Sequence, residues 1–348
     1  MGYTPISASD SSRRPSRLWV HVLLFVLTFA STALAGAAWV GKDPNELTNV
    51  MYGLTYALLL MSFLTAHEFG HYIAARIHGI DTSLPYFLPM PLIPFGTFGA
   101  FIRIRQSIPS RRVLFDIGVA GPLAGMAVCL LILGIGFVTL PDVEYLLQIH
   151  PEYRATGVIA PSGMYFGETL LFNGLKAVLV PEGAFMPPMN EIYHYPFLCV
   201  GWFGLFVTAL NLLPLGQLDG GHVLYGLIGR RQHPVARTIW WVMFLLGMLS
   251  LLGMIRVMYD EPSPMPFVIW IQHMIFPTLD TVIHLAPGLF TIGEGWLLWA
   301  LLIRFLVRIP HPPVVDEQPL DRRRQIIGWA AMVLLILCLP PRTIYFIE

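Results

Sequence analysis

The sequence predicts an all-α polytopic membrane protein of about seven transmembrane helices, with a small membrane-associated β-hairpin or strand. Three observations carry this. Of its 348 residues only 12% are charged and 55% are hydrophobic, against roughly 25% charged in a soluble globular protein. Mean hydropathy is +0.65, and apolar runs recur at lengths near the roughly 20 residues that cross a bilayer as a helix. Finally, Arg and Lys fall unevenly on alternate connections, as the positive-inside rule requires of a membrane-threaded chain. Formal net charge is zero, so no nucleic-acid partner is expected.

The elements follow in order. Residues 1–17 form a polar tail in which Arg13, Arg14 and Arg17 precede an apolar run. That run, about 18–40, exceeds a signal-peptide core of roughly 7–15 residues, so it reads as a retained first helix. A second span covers about 51–78. The Pro-rich stretch 81–94 reads as a loop. From Phe95 to Arg105, apolar residues alternate with small or charged ones, the pattern of a strand or hairpin. A third span covers about 113–140. Segment 141–196 is the longest connection, and its half-apolar part from Phe166 to Leu175 fits a stretch lying on the membrane or dipping into it.

A fourth span, about 197–214, is short and interrupted by Asn211 and Pro214, as a helix that breaks at a site would be. A fifth covers about 236–257. Segment 264–289 is apolar but broken by Pro264, Pro266, Pro277 and Pro287, so it is expected at the interface or as a re-entrant piece. Spans at about 290–309 and 326–341 complete the set. No connection is long enough for a separate soluble domain of roughly 100 residues. The expected organisation is a cytosolic tail, 1–17, and one transmembrane domain, 18–348, with its catalytic core at about 50–230.

With the N-terminus in the cytosol, the inner side collects Arg76, Arg103, Arg105, Arg111, Arg112 and Arg230 among others. The outer side holds Lys42, Arg154, Lys176, Arg256 and Arg342. The bias supports that orientation.

The chemistry centres on His67-Glu68-Phe69-Gly70-His71, inside the second span. On a helix, positions 67 and 71 lie one turn apart on one face, so two neutral imidazoles can bind one zinc ion. Glu68 projects beside them, placed to take a proton from water whose pKa zinc lowers toward roughly 7. The plain alternative is a pair of helix histidines satisfied by neighbours. Burial in an apolar span counts against it, because three polar groups would then need structural partners.

A catalytic zinc needs a third protein ligand. The segment Asn211-Leu212-Leu213-Pro214-Leu215-Gly216-Gln217-Leu218-Asp219-Gly220-Gly221-His222 offers two candidates, Asp219 and His222. Asp219 enters from the inner side, the side toward which His71 lies. Its other reading is a helix N-cap. Asn211 is suited to hold a substrate backbone or an oxyanion, or else to satisfy backbone groups freed by Pro214. Glu168, Glu294, His273 and His284 read as interfacial. Cys129, Cys199 and Cys338 lie in apolar stretches without paired spacing, and read as buried small side chains. The strand near Phe95–Arg105 has two readings of equal weight: a free edge that pairs with unwound substrate, or packing under the helix bundle.

These residues resemble the site-2 protease family of intramembrane zinc metalloproteases. The resemblance rests on His67-Glu68-Phe69-Gly70-His71 and on Asn211-x-x-Pro214-x-x-x-Leu218-Asp219-Gly220. Phe95-Gly96-x-x-Gly99-Ala100 and Gly121-Pro122-Leu123-Ala124-Gly125 add to it. The Pro-rich element and the tail from His311 to Arg324 are similar to the branch of chloroplast and bacterial members named for ethylene-dependent gravitropism deficiency and yellow-green leaves. Over about residues 50–345, the resemblance implies His67, His71 and Asp219 as ligands of one zinc ion. It further implies Glu68 as catalytic acid/base, Asn211 as a substrate contact, and a membrane-anchored protein substrate cut within or next to its transmembrane segment. The PDZ or CBS domain of many family members is not expected here.

A membrane transporter or metal-permeation protein using the same polar residues is the rival class. It needs no Glu beside the first histidine. Without a recognisable transit peptide, the expected location is a bacterial inner membrane with the site toward the cytosol. Substrate identity and oligomeric state are left open.

Overall fold

A computed structural model describes residues 17–91, 95–260, 265–293, 295–306, 309, 311 and 314–347. Glu294, expected at the interface, lies outside the described residues.

The first apolar run forms α1 (Leu18–Trp39). A 3-10 turn at Leu47–Gly53 leads into α2 (Leu54–Ile77). Strands β1 (Tyr86–Pro89) and β2 (Thr97–Phe101) form an antiparallel hairpin in the register Tyr86↔Phe101 and Phe87↔Ala100. The Pro-rich stretch expected as loop therefore contains a strand. Pro89 sits at its end, next to an irregularity in the register, where a missing N–H is tolerated.

Helix α3 (Arg111–Val138) starts at Ser110, whose hydroxyl accepts from the Val113 amide. The short helices α4 (Val143–Ile149) and α5 (Pro151–Thr156) meet at His150. Then come β3 (Gly163–Phe166) and α6 (Leu170–Leu179), the latter capped by Thr169. Helix α7 (Pro196–Leu212) is followed by α8 (Asp219–Ile228) and, across a single turn, α9 (Gln232–Met258). The remainder is α10 (Pro266–Met274), α11 (Phe276–Leu285), α12 (Trp296–Leu306), α13 (Arg322–Cys338) and β4 (Ile344–Ile347).

Among the described residues, four helical stretches are long and apolar enough to cross a membrane: Leu18–Trp39, Leu47–Ile77, Arg111–Val138 and Asp219–Met258. The pair α10 and α11, bent by 45°, makes a fifth if counted as one span. The seven spans expected from sequence are not reproduced. Helices α7 and α13, at 17 residues each, reach only about 25 Å at 1.5 Å per residue, short of a hydrocarbon core of roughly 30 Å. Helix α12, at 11 residues, is shorter still. Expected interruptions at Pro266 and Pro277 account for α10 and α11, each of which carries its proline in the first turn.

The bundle is built around α3, against which α2, α7 and α8 pack. Small residues set the spacing, as they do where helices associate without a hydrophobic drive between them. A Cβ at Gly36 of α1 would stand 2.7 Å from Cβ of Tyr56 on α2. One at Gly204 of α7 would stand 2.7 Å from Cys129 Sγ on α3. Helix α7 is buried nearly all round, with Trp202 inaccessible and its indole N–H donating to the Gly167 carbonyl at 2.7 Å. All three cysteines are free and buried.

Two long-range ties close the fold. Arg324 at the start of α13 donates to both oxygens of Asp116 on α3, each at 2.8 Å. At its other end α13 leads into β4, which pairs antiparallel with β3. This second sheet was not expected from the sequence: its strands have four residues each and lie far apart in the chain.

Candidate metal centre

Helix α2 carries His67, Glu68 and His71, all buried. The four-residue spacing puts both imidazoles on the face that meets α3, and their Nε2 atoms are 3.1 Å apart. Asp219 is the first residue of α8, and its Oδ2 lies 3.3 Å from His67 Nε2 and 3.2 Å from His71 Nε2. Ligands held at about 2.0–2.1 Å around a tetrahedral zinc stand roughly 3.3 Å from one another. All three distances fit that figure. The tautomer of His71 fits as well. Its Nδ1 lies 2.7 Å from the Ile117 carbonyl, which can only accept, so Nδ1 carries the hydrogen and, in the neutral ring, Nε2 offers its lone pair. His67 Nδ1 has no hydrogen-bond partner among the described residues.

Asp219 reaches this point because the chain turns sharply between α7 and α8. Gly216 has φ +51°, and a Cβ at Gly221 would collide with the Gly216 carbonyl. Only glycine permits both the left-handed backbone and so close an approach. The residue before Asp219, Leu218, occupies the N-cap position, and the Asp219 carboxylate faces the histidines instead of capping. His222, the other candidate ligand, turns away: its Nδ1 lies 2.8 Å from His311 Nε2, and it is not in the His67–His71–Asp219 group.

Asn211, in the last turn of α7, brings its Nδ2 to 3.3 Å from His67 Nε2. Glu68 is 6% exposed, and the backbone amide of Ile102, one residue beyond β2, lies close to its carboxylate. The expected strand is thus beside the expected acid/base. Glu168 instead accepts from Asn173 at the surface, and His273 and His284 are exposed.

Sequence reasoning did not assign one feature of the site. The glycines of α3 line it. A Cβ at Gly121 would overlap the His71 imidazole, and one at Gly125 would stand 3.2 Å from His67 Nδ1. A Cβ at Gly118 would stand 2.6 Å from Cβ of His222. Reciprocally, one at Gly70 of α2 would stand 2.5 Å from the Ala120 carbonyl. The spacing 118, 121, 125 follows one helix face, and that periodicity was the available signal.

Apolar helices enclosing a His-Glu-x-x-His turn, with a distant aspartate completing the donor set, define the class: helical membrane proteins with a metallopeptidase-type centre. Residues 55–254 match the model of peptidase family M50. The chain belongs to this family, that of the site-2 proteases. It is 31% identical over 240 residues to the probable zinc metalloprotease EGY1, chloroplastic, of Oryza sativa subsp. japonica, covering 62% of this chain and 39% of that protein. It is 28% identical over 263 residues to the probable zinc metalloprotease EGY2, chloroplastic, of Arabidopsis thaliana, covering 75% and 42%. The chain thus spans about two fifths of the length of these curated relatives. Both are named as chloroplastic plant proteins and lend no support to the bacterial inner membrane expected from sequence. No solved structure matches.

Proposed function

We propose that this chain is an intramembrane zinc metalloprotease that cleaves a membrane-anchored protein within or next to its transmembrane segment. The observation that supports it most is the convergence of His67, His71 and Asp219 on one point beside buried Glu68, within a bundle of apolar helices. In this reading those three residues hold one zinc ion. When bound, zinc supplies Lewis acidity, making water acidic near neutral pH and polarising the scissile carbonyl.

The chain's own groups do the rest. Glu68 takes the proton from the attacking water and later gives it to the leaving peptide nitrogen. Ile117 fixes the His71 ring through its carbonyl. Asn211, whose amide lies next to His67, donates to the substrate carbonyl or holds the substrate backbone.

A transmembrane helix hides its carbonyls in its own hydrogen bonds and must unwind before it can be cut. Strand β2 is paired with β1 along one edge, and the Ile102 amide brings its end to Glu68. Its other edge is where an unwound substrate segment adds as a strand. The domain reading stands as proposed from sequence: one transmembrane domain over 18–348 with the catalytic core within about 50–230.

The test compares the wild-type chain with Glu68→Gln in membranes containing membrane-anchored proteins. Proteomics of the membrane fractions should show substrates accumulating only with Glu68→Gln. Cleavage of a reporter built from one of them should fall by about 10²-fold or more, with zinc content unchanged. Cleavage by Glu68→Gln at the wild-type rate would show the reading to be wrong.

A further inference from the structure

A second convergence of metal-ligand atoms lies outside the site described above. His150 joins α4 to α5, while Glu191 precedes and His194 ends the 3-10 turn Ile192–His194, just before α7. His150 Nε2 is 2.9 Å from His194 Nε2. Glu191 Oε2 is 3.4 Å from His194 Nε2 and 3.8 Å from His150 Nε2. Glu191 and His194 are almost wholly inaccessible, and His150 is a quarter exposed.

The protons around this cluster can be traced. His194 Nδ1 lies 2.7 Å from the Trp39 carbonyl, which only accepts, so Nδ1 carries that ring's hydrogen. His150 Nδ1 lies 2.7 Å from Oε1 of Glu152, an exposed carboxylate that also accepts. In the neutral rings both Nε2 atoms therefore present lone pairs. Glu191 Oε1 is satisfied by the Tyr153 hydroxyl at 2.8 Å. Its Oε2 is buried with no hydrogen-bond partner among the described residues. Three acceptors thus face one another with no donor between them. A buried carboxylate oxygen left so is costly, and buried charges are ordinarily paired or on a metal.

A bound cation removes both conflicts. The separations of 2.9, 3.4 and 3.8 Å bracket the roughly 3.3 Å edge of a tetrahedron with bonds of about 2.0–2.1 Å. Each ring is also held through its Nδ1, one by a carbonyl and one by a carboxylate, which is how metal-bound histidines are oriented. Two imidazole nitrogens and one carboxylate oxygen suit zinc and its neighbours better than calcium or magnesium.

We propose that His150, Glu191 and His194 form a second divalent-metal site, selective for zinc-like ions and structural in role. It pins the end of α1, through Trp39, to the α4–α5 junction and to the turn that launches α7. The Tyr145 hydroxyl, donating to the His194 carbonyl at 2.7 Å, adds α4 to the same joint. The site is well separated from the first. Gly53 packs against Ala33 and Ala37 near this end of α1, and His67 lies about 20 Å farther along α2 at 1.5 Å per residue. The proposal does not rest on the peptidase reading.

The experiment measures zinc in the full chain purified in detergent, by elemental analysis after free metal is removed and by Zn²⁺ titration. In a His67→Ala, His71→Ala background the chain should keep one zinc ion. Adding Glu191→Gln, or His150→Ala with His194→Ala, should weaken that binding at least 100-fold. Zinc should raise the melting temperature of the background chain and not of the chain that also carries Glu191→Gln. In the otherwise wild-type chain, Glu191→Gln should remove one of two zinc ions, a readout that survives if the background variant does not fold. Absence of zinc from the background chain, as a proton shared between the imidazoles would give, overturns the proposal. So does zinc binding that Glu191→Gln and the double histidine variant leave unchanged.

Discussion

The imidazole of His71 occupies the space that a side chain at Gly121 would fill. The ring cannot simply move aside, because its Nδ1 is tied to the Ile117 carbonyl at 2.7 Å and its Nε2 faces Asp219 at 3.2 Å. The α3 backbone is therefore part of the candidate metal centre, although it contributes none of the three candidate ligands.

Gly121→Ala should displace the His71 ring and break its bond to Ile117. Loss of such an orienting partner costs about 10–100-fold in metal affinity. Gly125→Ala, whose Cβ would meet His67 at 3.2 Å, should cost less. Zinc titration of the two variants checks the order. Equal, wild-type affinity in both would mean the α2–α3 contact yields easily.

Asp219→Asn should leave the helices in place but remove the anionic donor from the His67–His71 pair. Zinc affinity at that centre should fall, and cleavage with it, while Glu68→Gln keeps its zinc. Elemental analysis of the two proteins side by side separates ligand from acid/base. Chelation of the wild-type chain should abolish cleavage, and added Zn²⁺ should restore it.

Asn211→Ala should retain zinc and the fold. If the amide serves the developing oxyanion, kcat should fall by about 10²–10³-fold. If it only holds the substrate backbone, KM should rise with kcat little changed. Steady-state kinetics on a membrane-anchored reporter distinguishes the two roles.

Trp202 is inaccessible, and its indole N–H donates to the Gly167 carbonyl. Trp202→Phe keeps most of the packing and leaves that buried carbonyl unpaired, at about 1–3 kcal/mol. Trp202→Ala should cost about 3–5 kcal/mol. Thermal or denaturant unfolding in detergent should rank wild type, Phe and Ala in that order.

Much of the candidate site was legible in the chain. His67, Glu68 and His71 are read from a spacing that a helix turns into a single face. Asp219 stood out as a carboxylate in an apolar setting, followed by two glycines that allow a tight turn. The choice between Asp219 and His222 leaned to Asp219 in the chain, through the resemblance, but was not closed there, because both lie within one turn of α8. It depends on His222 meeting His311, far along the chain. Spans were harder to read than motifs. Hydropathy does not distinguish a helix that faces lipid from one such as α7, which is buried by protein nearly all round. The β3–β4 pairing left almost no local trace, since four-residue strands carry too little alternation to register.

Local pattern determined the helical membrane class, the metal-type motif on α2 and the partner segment around Asp219. Periodicity and polarity are carried by neighbours in sequence, so they can be read there. Only the tertiary structure decided that Asp219 and not His222 faces the histidines, and that Gly121 makes room for His71. It also brought His150, Glu191 and His194 together at the far end of α1. These relations depend on how closely separate helices approach, and that distance is set by packing between residues that the chain itself keeps far apart.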